Sequence, residues 1–202
     1  MIRRTRFPVA FLWTLGPLFL AGGCATSRPI HYYTLAPPDS PAREKPDGPT
    51  MLVANIEAPE YLQDARIHYR TGAHEAGAYE LHRWTERPGT LIRGSLVNAL
   101  RASGRYRRVI EASSWAAGDY LVRGEVHEFG EVDHPAIATR ISVHLELIDQ
   151  KDNREVWDRN YEREEPSSGK TIDDVVESMD RNLRQVAQSA ATDIGAFVGT
   201  IK

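Results

Sequence analysis

Cysteine is almost absent from this chain of 202 residues, since Cys24 is its single example. One thiol cannot form an intrachain disulfide or a cysteine-based metal site. Strong basicity is also missing, because 25 lysines and arginines stand against 28 acids and the net charge is −3. Proteins that bind a phosphate backbone carry a basic surface, so this composition argues against a nucleic-acid partner.

Familiar catalytic motifs are missing as well. The sequence has no G-x-S-x-G elbow, no phosphate-binding loop and no H-E-x-x-H pair. Its seven histidines never fall four residues apart on a predicted helix. We therefore expect a protein that is not an enzyme and that uses neither a metal nor a cofactor.

The amino-terminal segment carries the strongest sequence signal. Residues 1–6 hold three arginines and no acid, residues 7–21 are apolar, and two glycines precede Cys24. A basic start, a short apolar middle and small residues before a cleavage site are typical of a secretory signal peptide. A membrane-spanning anchor with a buried cysteine is the alternative, but the apolar run is shorter than the roughly 20 residues that a spanning helix needs.

A cysteine directly after the small residues resembles a bacterial lipobox, in which the thiol accepts diacylglycerol. We predict that residues 1–23 are a lipoprotein signal peptide and that Cys24 is lipidated, with a further acyl chain, such as palmitate, on the new amino terminus. Two acyl chains already anchor a protein stably to a membrane. The mature chain would keep 179 residues, with 22 basic residues against 28 acids and a net charge of −6.

The mature chain is predicted to start with a short tether, residues 24–30, followed by one domain, residues 31–202. Residues 36–50 contain five prolines, which forbid regular structure and favour an extended, polyproline-like strap across the domain. A mobile linker is the alternative interpretation of the same residues.

Two periodicities organise the domain. Apolar and β-branched runs, alternating with polar residues where they are long, predict strands at residues 31–35, 51–57, 65–69, 79–84, 106–110, 120–129, 138–148 and 155–164. Apolar residues recur every three or four positions at 88–103 and 171–197, which predicts two helices. The fold class is therefore α+β, a largely antiparallel sheet with two main helices packed on one face.

Two of the histidines are candidate metal ligands. His127 and His144 lie on neighbouring predicted strands, with Glu125 or Glu146 close by in sequence. A metal pair is one interpretation. Polar residues on the solvated face of a sheet are the interpretation we favour, because solvent-facing strand positions are normally polar.

Other candidate residues have simple structural explanations. Asp173 and Asp174 fit the positive first turn of a helix better than a catalytic carboxylate pair. Arg105, Arg107 and Arg108 form a basic cluster that suits a solvated strand end better than a contact with anionic lipid. The three tryptophans of the mature chain are expected in the core or between helix and sheet: Trp84, Trp115 and Trp157.

The order of several short segments resembles one known family. These segments follow the lipobox cysteine and are His31–Leu35, Leu52–Ile56, Tyr61-Leu62, Ile67–Arg70 and the entry to the first helix, His82–Pro88. In this order they resemble the auxiliary lipoproteins of ABC-type transport systems, including the paraquat-inducible lipoprotein that works with MCE-domain proteins.

This resemblance implies a non-enzymatic accessory role. The implied partners are a periplasmic MCE-domain protein, an ABC permease and its ATPase, and the implied cargo is phospholipid or another hydrophobic molecule moved between the inner and outer membranes. Ala25 stands where aspartate would retain a lipoprotein at the inner membrane, so the periplasmic face of the outer membrane is favoured and the inner membrane is the alternative.

Two questions stay open at this point. A structural or regulatory envelope lipoprotein, binding a cell-wall enzyme or an outer-membrane assembly, is the alternative function. Exposed edge strands offer a route to a homo-oligomer, and a monomer is the alternative to it.

Overall fold

The computed structural model of the chain describes residues 28–35, 45, 47–113, 115–133 and 135–201. The predicted signal peptide, Cys24 and most of the predicted strap lie outside the described residues, so these assignments stay predictions. The chain belongs to the fold on both sides of this gap: Leu35, just before the strap, is buried, and the amide of Lys45, within the strap, donates a 2.9 Å hydrogen bond to the carbonyl oxygen of Tyr106.

The described residues form eight strands, two helices and one short 3₁₀ turn. The strands are β1 (His31–Tyr33), β2 (Thr50–Glu57), β3 (Arg66–Thr71), β4 (Glu75–Trp84), β5 (Arg108–Glu111), β6 (Tyr120–Asp133), β7 (Ile137–Asp149) and β8 (Arg154–Pro166). The helices are α1 (Pro88–Ala102) and α2 (Ile172–Thr200), and the 3₁₀ turn is Glu60–Leu62. Among the described residues, neither helix is both long enough and apolar enough to cross a bilayer.

A long central strand, β6, holds the sheet together. One side of β6 pairs along its length with β7, which pairs in turn with β8, and both pairings are antiparallel. The other side pairs in parallel with β2 near Tyr120 and with β3 near Asp133. We call these two regions the Tyr120 end and the Asp133 end of the sheet. β5 extends the sheet beyond β2, and β4 and then β1 extend it beyond β3.

Both helices pack on the same face of the sheet. α1 lies against β2 and β5, and α2 lies against β7 and β8, with the two helices in contact with each other. Alternate residues of β7 supply the buried layer beneath α2, namely Ile141, Val143, Leu145 and Leu147. The opposite face of the sheet, which we call the open face, is polar along these strands.

The predicted fold class is confirmed. The long antiparallel pairings make the sheet largely antiparallel, and the shorter contacts of β1, β2, β3 and β5 add parallel pairs. The strand predicted at residues 79–84 was too short, because β4 begins at Glu75 and includes Gly77. Tyr69 lies across Gly77, with its hydroxyl oxygen 2.6 Å from the position of an added Cβ, so a larger residue at position 77 would displace the tyrosine ring.

Candidate functional site

The chain enters the domain at an edge of the sheet. β1 pairs in parallel with β4, and His31 lies opposite His82 with their rings stacked at 5.3 Å. The hydroxyl oxygen of Tyr33 lies 3.0 Å from Nδ1 of His82. Tyr32, between them, is 63% exposed. The contacts of His31 and Tyr33 with His82 therefore fix the point at which the chain enters the sheet. Residues 28–30 precede this point on the side of Cys24.

A buried carboxyl group lies further into the same sheet, on β6. Glu131 is only 6% exposed and follows the buried Phe129 on the helix-covered face of β6. Its Oε2 accepts a 2.7 Å hydrogen bond from the hydroxyl group of Tyr79. Burial, with a smaller contribution from the charge of Asp133, raises the pKa of Glu131, although the Tyr79 bond opposes the shift. Burial and the same contact raise the pKa of Tyr79.

The sequence did not single out this pair. An acid at the end of a predicted strand usually marks a turn, and the strand was predicted to end at Phe129. The structure extends β6 to Asp133, which carries Glu131 into the sheet.

Charged side chains cover the open face near the Asp133 end. Arg140 on β7 lies 3.4 Å from a carboxylate oxygen of Glu128 and 2.9 Å from one of Glu162. Arg70 on β3 binds Glu128 from the other side at 2.8 Å. The shared carboxylate of Glu128 thus joins three strands, β3, β6 and β7. Partly exposed pairs of this kind contribute little to stability individually, so this network keeps the face polar and solvated.

A small cavity lies beside this network. Its volume is about 60 Å³, and its walls include Tyr61, His68, Gly130 and Val132. Tyr61 is half-exposed and donates a hydrogen bond to the carbonyl oxygen of His127. The cavity is far smaller than the roughly 300–1,000 Å³ of ordinary small-molecule sites. It suits a few water molecules or one partner side chain and is too small for a whole lipid.

The two histidines considered as metal ligands lie in different environments. His127 is exposed, and His144 lies on the open face opposite Glu125. Nδ1 of His144 is 3.0 Å from Oδ1 of Asn160, and its Nε2 is 3.5 Å from a Glu146 oxygen. Within the described residues, no group of three or more metal-binding side chains comes together. The contacts of His144 are thus with polar side chains of the open face.

Asp174, one of the two acids at the start of α2, forms a capping box with Thr171. The Asp174 amide donates to Oγ1 of Thr171 at 3.2 Å, and the Asp174 carboxylate accepts from the Thr171 amide at 2.9 Å. Hydrogen bonds from Thr171 lower the pKa of Asp174. Asp173 lies in the same first turn. This arrangement satisfies free amides and suits the positive end of the helix dipole, as predicted.

The basic cluster and the tryptophans lie in contrasting environments. Arg105, Arg107 and Arg108 are exposed at the Tyr120 end. Trp84 is buried against Phe129, but Trp115 is 95% exposed. The prediction that Trp115 packs in the core was therefore wrong. It lies in a short loop between β5 and β6, where no periodicity distinguishes a buried residue from an exposed one.

Comparison with known families gives a definite result. Residues 33–191 match the family described as ABC-type transport auxiliary lipoprotein component. The chain therefore belongs to the family of ABC-type transport auxiliary lipoproteins, and the resemblance seen in its segments is confirmed. The family is one of lipoproteins, which places the chain at the cell envelope. No curated protein sequence matches the chain closely enough to serve as a relative.

Solved structures share the fold at low sequence identity. A Xanthomonas campestris protein of the DUF330 family is 21% identical over 86% of this chain and 100% of its own, with a TM-score of 0.73. An uncharacterised protein is 19% identical over 83% of this chain and 99% of its own, with a TM-score of 0.65. A hypothetical protein of Chlamydia trachomatis is 8% identical over 75% and 98%, with a TM-score of 0.52. At these identities the comparison concerns the fold alone.

Proposed function

We propose that this chain is a membrane-anchored, non-catalytic accessory subunit of an ABC-type transport system that moves phospholipid or another hydrophobic molecule between the inner and outer membranes. The observation that carries the proposal is the family match over residues 33–191. Its proposed partners are a periplasmic MCE-domain protein and the permease and ATPase of the same system.

The position of β1 supports the anchoring part of the proposal. Cys24 precedes His31 by seven residues, and an extended chain of that length spans at most ~25 Å. An acylated Cys24 would hold the domain by the β1 edge, close to the membrane surface. Ala25 in place of aspartate favours the outer membrane as the anchoring membrane.

The small size of the cavity beside Gly130 favours docking over carriage of lipid at that place in the domain. The cavity there is about 60 Å³. An accessory subunit of this kind would position its partners, and the lipid would pass through them and not through this domain.

Affinity purification from membranes solubilised in a mild detergent tests this function. A carboxyl-terminal tag on the native chain should recover an MCE-domain protein in a stable ratio, and a Cys24→Ser chain should recover less, because it is not concentrated at the membrane. A deletion strain should show increased permeability of its outer membrane to hydrophobic dyes. Recovery of cell-wall enzymes in place of an MCE protein, with normal permeability, would contradict the proposal and favour the structural or regulatory alternative.

A further inference from the structure

The Tyr120 end of the sheet combines an exposed aromatic side chain with exposed cations. Trp115 is 95% exposed, the highest exposure among the large hydrophobic residues that the structure describes. The segment Ser103–Arg108 contributes three arginines and no acid. Three neighbouring cations without an acid between them thus lie in a chain whose predicted mature charge is −6.

Backbone hydrogen bonds attach the loop that carries Trp115 to β2. The Ala112 amide donates to the carbonyl oxygen of Val53 at 2.8 Å, and the Asp119 amide donates to that of Thr50 at 2.9 Å. These bonds hold both ends of the Trp115 loop against β2. The position of Trp115 along the sheet is therefore set by β2 on both sides of the loop.

The arginines remain partly available in the folded chain. Arg107 lies 3.6 Å from a carboxylate oxygen of Asp119, and both side chains are about half-exposed. Arg105 donates to the carbonyl oxygen of Gly195 near the end of α2 at 3.3 Å, and Arg108 is exposed. Asp119, together with Asp47 in the neighbouring cleft, offsets part of this charge, and Arg108 takes part in none of the ion pairs among the described residues.

A cleft of mixed polarity continues from this cluster. Its volume is about 340 Å³, and beside Arg107 its lining includes Asp47 and Asp119 as well as Tyr120, Val198 and Ile201. Ile201 is itself 46% exposed. Exposed indole and aliphatic groups beside arginines match the chemistry of a bilayer interface, where tryptophan favours the headgroup level and arginine attracts anionic phosphate.

We infer that the Tyr120 end, through Trp115, Arg107 and Arg108, is a peripheral contact site for an anionic phospholipid surface, separate from the acyl anchor. β1 runs toward this end, so residues 28–30 lead away from it. The site would let a domain anchored in one bilayer touch a second bilayer. The inference goes beyond the proposed transport role and does not depend on it, because it concerns binding to lipid alone.

Vesicle binding by the non-acylated mature chain tests the inference. Residues 24–202 carrying Cys24→Ser retain every described residue and lack the acyl chains. The probes are vesicles of phosphatidylcholine alone and of an equimolar mixture with phosphatidylglycerol. We expect the chain to sediment with the anionic vesicles, less so as salt rises, because ions screen exposed charges. Its tryptophan emission should shift to shorter wavelength, and Trp115→Phe should abolish the shift.

Matched substitutions distinguish binding through this site from nonspecific binding to vesicles. Trp115→Ser should weaken binding about tenfold, since one large apolar side chain no longer enters the interface. Arg108→Gln should weaken it about fivefold, the effect of one cation at an anionic surface. Tyr32→Ser and Arg87→Gln, which change exposed residues elsewhere, should bind like the parent chain.

Three results would overturn the inference. They are failure of the parent chain to bind anionic vesicles, equal binding by the Trp115→Ser chain, and equal losses in the Tyr32→Ser and Arg87→Gln controls. A loop that inserts into a protein partner would produce the first result. Circular dichroism of each variant establishes that the fold is retained, and the high exposure of Trp115 makes this the expected outcome.

Discussion

The hydroxyl group of Tyr79 donates a 2.7 Å hydrogen bond to Oε2 of Glu131, joining β4 to β6 on the helix-covered face of the sheet. β3 lies between these two strands, so the bond spans it. Glu131 is nearly buried, and this burial favours its protonated form. A carboxyl group in such a position makes the stability of the domain depend on pH.

The direction of that dependence follows from the raised pKa of Glu131. The unfolded chain loses this proton near the usual carboxyl pKa of 4.5, whereas the folded chain keeps it to a higher pH. Because the folded state binds more protons in this window, its stability falls as pH rises from 4.5 to the folded pKa, and the loss is constant above it. Glu131→Gln has no such proton, so its stability relative to the parent chain should increase between pH 4 and pH 7.

Urea unfolding of both chains across this pH range measures the effect. Glu125→Gln provides the control, because Glu125 is exposed on the same strand. A stability difference between the Glu131→Gln and parent chains that stays constant with pH would show that Glu131 does not titrate differently in the folded state.

Two glycines of α1 should respond in opposite directions to alanine. A Cβ at Gly89 would lie 2.2 Å from the carbonyl oxygen of Ile56, whereas a Cβ at Gly94 would meet nothing within 4 Å. Gly89→Ala should destabilise the domain by about 1–3 kcal/mol, because α1 must move away from β2. Gly94→Ala should stabilise it by about 0.5–1 kcal/mol, because alanine favours the helix. Thermal or urea unfolding measures both, and equal effects would contradict the close approach of α1 to β2.

A buried asparagine joins α2 to the sheet. Nδ2 of Asn182 donates to the carbonyl oxygens of Thr139 on β7 at 2.8 Å and of Arg163 on β8 at 3.2 Å, and Asn182 is 0% exposed. Asn182→Ala leaves both acceptors without this donor and should cost about 1–3 kcal/mol. Gln185→Ala, at an exposed position of the same helix, should change stability by less than about 0.5 kcal/mol. Similar urea midpoints for the two variants would contradict this role.

The sequence predicted the regular elements well because their patterns are long. The alternation from Ala138 to Ile148 and the helical period after Thr171 each extend over many residues. A pattern of that length seldom arises by chance, so it predicts which residues are buried. The family resemblance then rested on the order of short segments. These features predicted the fold class and the envelope setting.

The features missed from the sequence depend on contacts between distant residues. The burial of Glu131 follows from its pairing beside Tyr69 of β3 and from the hydroxyl group of Tyr79, more than 50 positions earlier. Trp115 was expected in the core because tryptophan is usually buried there, but its loop provides no face to pack on. Neither environment has a local sequence signal.

Cys24 is the residue on which the proposed role depends most directly. Metabolic labelling with palmitate, followed by separation of inner and outer membranes, tests its modification and location together. The native chain should carry the label and appear in the outer-membrane fraction, whereas Cys24→Ser should carry none and leave the membrane-anchored pool. Label retained by the Cys24→Ser chain, or a native chain without label, would contradict the account of this protein as a lipid-anchored transport accessory.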